Sequence, residues 1–66
     1  MSNYRVCVIK IEHPDLVKFI SFDNKEDAEH YAKNQSVSDV KHVYEVHKNN
    51  KGEFEKIKSY MNGEEA

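Results

Sequence analysis

The sequence predicts an α+β fold, a single small domain of order β-β-α-β-β with one helix packed on a mostly antiparallel sheet. Three observations predict it. Phe22 to Gln35 has a helical start signal and helical spacing. β-branched and aromatic residues dominate the stretches on both sides of it. No repeat or low-complexity segment interrupts the chain. With 66 residues, 38% of them apolar and 33% charged, there is material for one core and no more. Residues 1–60 read as that domain and residues 61–66 as a flexible C-terminal tail.

The first strand runs from Tyr4 to Glu12 and is apolar on both alternating faces, with Tyr4, Val6 and Val8 on one and Cys7, Ile9 and Ile11 on the other. His13-Pro14-Asp15 reads as a break, because proline lacks the ladder donor and fixes φ for a turn. A second strand, Leu16 to Phe22, completes a hairpin. The helix follows, with Asp23 or Asn24 as its cap and Glu26 or Asp27 three residues on. Ala28, Tyr31, Ala32 and Gln35 share its inward face, and Glu29 with Lys33 forms a favourable i, i+4 pair. Ser36 to Asp39 is a connector in which one further helical turn is possible. Val40 to His47 is the third strand; strand order is left open, a parallel pairing with the first across a right-handed helical crossover being one option. Asn49 to Gly52 is a turn, and Glu53 to Tyr60 is a fourth, edge strand.

A lone helix covers one face of a small sheet. If that face carries Phe22, it also carries Cys7, Ile9, Ile11, Leu16, Ile20, Val40, Tyr44 and Val46. Left over on the opposite face are Tyr4, Val6, Val8, Val17, Phe19, Val43 and Ile57. Each such side chain is worth about 1.5–3 kcal/mol on full burial, and a contiguous patch of them marks an interaction surface. These seven are therefore the expected partner-binding residues, the partner being a larger protein or a second copy of the chain.

Chemistry is sparsely signalled. Cys7 reads as a small buried hydrophobe that would need a histidine brought to it from a distance. His13, His30, His42 and His47 lack metal-ligand spacing, His42 and His47 lying on opposite faces of one strand. With Gly52 and Gly63 the only glycines, no phosphate-cradling loop is present. The expectation is a non-enzymatic protein with no cofactor and no metal. Net charge is −2, split between an acidic middle, with seven acids and three lysines over residues 12–40, and a basic stretch, with five lysines and three acids over residues 41–60. That distribution argues against a nucleic-acid partner. The alternative kept open is a sheet surface that stacks single-stranded nucleic acid on Tyr4, Phe19 and Tyr60 among Arg5, Lys18, Lys56 and Lys58. No apolar stretch is long enough to span a bilayer and no export signal is apparent, so the expected location is cytoplasmic and off the membrane.

The phrase Phe22-Asp23-Asn24-Lys25-Glu26-Asp27-Ala28-Glu29-His30-Tyr31-Ala32, after a two-strand hairpin, is similar to one found in peptidoglycan-binding SPOR repeats and in small phage inhibitors of bacterial RNA polymerase. The second likeness implies a phage or mobile-element modulator of a larger host protein. Neither likeness assigns a residue a role.

Overall fold

A computed structural model describes residues 2–66. Strands β1 (Tyr4–Lys10) and β2 (His13–Phe22) lead into helix α1 (Lys25–Val37), followed by β3 (His42–Asn50), β4 (Glu53–Met61) and a two-residue β5 (Glu64–Glu65). All five strands form one antiparallel sheet in the order β2-β1-β3-β4-β5. The third strand thus pairs with the first, and does so antiparallel.

The helix starts where its cap signal places it. Asn24 is the cap, its Oδ1 accepting the Asp27 N–H at 2.9 Å while its Nδ2 donates to the Asp27 carboxylate at 3.0 Å. The extra turn does form. Ala28, Ala32 and Ser36 are the buried stripe, at successive i, i+4 positions, and Gln35 is exposed. Small side chains at these three positions let the backbone approach the sheet closely. Glu29 reaches Lys25 at 3.8 Å and Lys58 of β4 at 3.5 Å, tying the helix flank to the sheet instead of pairing with Lys33.

The core lies between α1 and the face made of Val6, Val8, Tyr44, Val46 and Tyr60, all buried, with Tyr4, Ile20, Phe22 and Tyr31 packed at its margin. The face expected under the helix is therefore corrected for β1: Tyr4, Val6 and Val8 are inside, and Cys7 and Ile9 are on the other side. Pairing register explains the reversal. Lys10 pairs with His13 and Ile9 with Val17, so three residues of β2, Pro14 to Leu16, stand against none in β1. An odd insertion turns every later side chain of one strand to the opposite face relative to its partner. Pro14 is accordingly part of β2, where an edge strand tolerates it, and Leu16 and Ile11 are exposed, not core. Val40 precedes β3 and is exposed as well.

Two tight hairpins finish the sheet. Lys51 (φ 55°) and Gly52 (φ 92°) join β3 to β4, and Asn62 (φ 54°) and Gly63 (φ 81°) join β4 to β5. Positive φ at both central residues matches the twist of the paired strands. Residues 61–66, expected as a frayed tail, thus end β4 and return as β5. The Gly63 N–H donates to Ser36 Oγ at 2.9 Å, and that hydroxyl donates to the Lys33 carbonyl at 2.8 Å.

Candidate functional site on the uncovered sheet face

The strand register places Arg5, Cys7 and Ile9 of β1 beside Val17, Phe19 and Ser21 of β2 and Val43, Glu45 and His47 of β3, all on the face away from α1. Among the described residues nothing roofs this face as α1 roofs the other. Phe19 remains 59% exposed, while Val17 and Val43 are half-buried. Ile57, 37% exposed, is the extra residue where the β3–β4 register shifts. Of the seven partner-binding residues expected, Val17, Phe19 and Val43 are brought together here, Ile57 lies at the bulge, and Tyr4, Val6 and Val8 belong to the helix-covered core.

On this face Arg5 lies between two rings. Its guanidinium carbon is 4.5 Å from the Phe19 ring centroid and 3.9 Å from that of Phe54, and its buried Nε has no hydrogen-bond partner. Such stacking holds a flexible cation in one orientation and leaves its remaining donors available to a carboxylate. Phe54 was not expected at this site. A signal for it existed in its weak alternation with Lys56, but its closeness to Arg5 depends on β3 separating the two strands.

The fold also brings a histidine to Cys7. Sγ lies 3.6 Å from His47 Nδ1, and His47 Nε2 lies 3.0 Å from Glu45 Oε1. The order thiol, imidazole, carboxylate is that of nucleophilic hydrolases. Yet Cys7 is 2% exposed, and burial pushes its thiol pKa up, outweighing the lowering influence of Arg5. A buried, protonated sulfur is a poor nucleophile. Glu45 also lies 4.0 Å from Lys56, so the polar contacts run from Cys7 on β1 through β3 to β4. Among the described residues, no group of three His, Cys, Asp or Glu side chains is arranged to hold a metal ion.

No family model matches this chain, and no curated protein or solved structure does either. Among the described residues no helix is long and apolar enough to cross a membrane.

His42 and His47 do face opposite ways. On the helix side His42 Nδ1 is 2.8 Å from Asp39 Oδ1, and the Tyr44 hydroxyl donates to Asp39 Oδ2 at 2.6 Å. The Tyr44 hydroxyl first, then His42, holds the Asp39 carboxyl below its ordinary range. Burial and this same carboxylate push the Tyr44 phenol well above its own. Lys18, Tyr4, Lys58 and Tyr60 also lie on the helix side, so of the residues considered for nucleic-acid stacking only Phe19, Arg5 and Lys56 share the uncovered face.

Proposed function

We propose that this chain is a protein-interaction domain that docks a larger protein on its uncovered sheet face, with Phe19 and Arg5 at the centre of the contact. The observation that carries this reading is the exposed Phe19 ring stacked on Arg5, amid Ile9, Val17 and Val43, on a face no other element covers. Desolvated aromatics and arginines form the centres of protein interfaces, where the compact apolar contact excludes water around a few charge-assisted hydrogen bonds. The guanidinium of Arg5, held between two rings with donors to spare, favours a partner that presents a carboxylate at this point. A narrower identity as a phage modulator of a host protein rests on the likeness at Phe22 to Ala32, and no relative supports it.

Capture from lysate on immobilised protein, read by mass spectrometry, tests the reading with wild type, Phe19→Asp and Arg5→Ala side by side. A partner retained by wild type and lost from both variants, each shown to be folded by circular dichroism, is the expected result. An unchanged set of captured proteins contradicts it.

A second reading draws on the same residues: Phe19, Arg5 and Lys56 could stack and neutralise single-stranded nucleic acid. Salt separates the two, because phosphate contacts release counterions. Oligonucleotide binding that weakens steeply with salt would favour this second reading, and its absence at low ionic strength removes it.

A further inference from the structure

The helix lies more over β3 and β4 than over β1 and β2, so part of the helix-side sheet is left open beside it. A groove of about 500 Å³ occupies this space, within the range of small-molecule sites. Val8 and Ile20 line it from the sheet, Leu16 from β2 and Tyr31 from the helix. Leu16 is 56% exposed there, an apolar side chain with nothing packed fully against it.

Two lysines, Lys10 and Lys18, line this groove together with His42 and a single acid, Asp39. Lys18 pairs across the strands with Val8, Lys10 follows two residues along β1 on the same side, and His42 stands opposite Lys10 on β3. Lys18 and Lys10 thus edge the groove on the same side of the sheet, with His42 beside Lys10. Neither lysine has an ion-pair partner among the described residues. The acid that lines the groove, Asp39, is already engaged by the Tyr44 hydroxyl and His42. The chain as a whole is acidic, with a net charge of −2, which makes this local excess of base the more distinctive.

We propose that the groove binds a small single-chain amphiphile, its anionic head on Lys10 and Lys18 and its apolar chain along Val8, Leu16, Ile20 and Tyr31. Both halves of the ligand follow from the lining. An anion of either carboxylate or phosphate chemistry would supply the counter-charge the two lysines lack, and a chain of methylenes would cover the exposed leucine and its neighbours. The site lies across the sheet from Phe19 and Arg5 and does not depend on the docking reading.

Titration of isotopically labelled protein with decanoate, decyl phosphate, decanol and inorganic phosphate, each below any micelle threshold, tests the proposal by amide chemical shifts. Expected is movement at Val8, Lys18, Ile20 and Tyr44 with one or both anionic amphiphiles, at an affinity about tenfold or more above decanol's, as hydrogen bonds to charged groups imply. A preference between the two identifies the head group. In the Lys10→Gln, Lys18→Gln double variant the advantage over decanol should vanish while the circular dichroism spectrum is unchanged, and Phe19→Asp should bind as wild type does. Equal affinity for decanol, inorganic phosphate bound as tightly as the amphiphiles, an undiminished double variant, shifts confined to the Phe19 face, or no shift at all would each overturn the proposal.

Discussion

Arg5 and Phe54 come from strands with β3 between them, yet the guanidinium carbon of one lies 3.9 Å from the ring centroid of the other. The contact spans β3 and ties β1 to β4 on the side of the sheet that the helix does not reach. A double-mutant cycle with Arg5→Ala and Phe54→Ala should return a coupling of about 0.5–1 kcal/mol, the range of partly exposed cation–π pairs. Additive losses in urea unfolding would show that the stacking contributes nothing.

Ser36 and Gly63 join the helix end to the β4–β5 turn, and two glycine substitutions separate that link from simple backbone strain. Both Gly52 and Gly63 have positive φ, so alanine is strained at either. At Gly52 the new methyl meets nothing within 4 Å, whereas at Gly63 it would come within 2.7 Å of Val37 Cγ2. Thermal unfolding should therefore rank Gly63→Ala clearly below Gly52→Ala. Ser36→Ala removes a donor and an acceptor at a fully buried position, costing about 1–3 kcal/mol. Equal melting temperatures for the two glycine variants would contradict this packing.

Much of this architecture is legible in the residues. Asn24 with Asp27, then Ala28 and Ala32, identify the helix because capping and spacing are local. The β3–β4 turn follows for the same reason. Asn62-Gly63 carries an equally local hairpin signal, but the strand that follows it, Glu64–Glu65, is too short to show any alternation. Local pattern fails at β1, which is apolar on both faces, so that either Val8 or Cys7 could have faced the helix. The choice is made by Pro14 to Leu16, whose odd count alters the register. Nor can pattern bring Cys7 to His47, 40 residues away; that meeting follows from the pairing of β1 with β3.

Cys7 tests the interior of the uncovered face. Burial keeps its thiol protonated and inaccessible. Iodoacetamide at mildly alkaline pH should label it slowly in the native protein and readily in denaturant. Equal rates in the two states would place the sulfur at the surface.

The Asp39 carboxyl gives a pH signature. Its pKa is lower in the folded chain than in the unfolded one. Its contribution to stability is thus full above the unfolded value, about 3.9, and is lost as pH falls through the lower folded value. Tyr44→Phe removes the larger cause. The Asp39 carboxyl resonance should then titrate at higher pH, and less stability should be lost on acidification. An unmoved titration would mean that the 2.6 Å hydrogen bond does not act on the charge.

Which side of β1 the helix covers decides which residues form the exposed surface. Val6 is fully buried and Phe19 is 59% exposed. An uncompensated carboxylate in the core costs several kcal/mol, against about 3–10 kcal/mol of total stability for a chain of this length. The deciding measurement is thermal unfolding of Val6→Asp and Phe19→Asp by circular dichroism. Val6→Asp should show no folded baseline, and Phe19→Asp should melt cooperatively close to wild type. A folded Val6→Asp beside an unfolded Phe19→Asp would reverse the two faces and contradict the account.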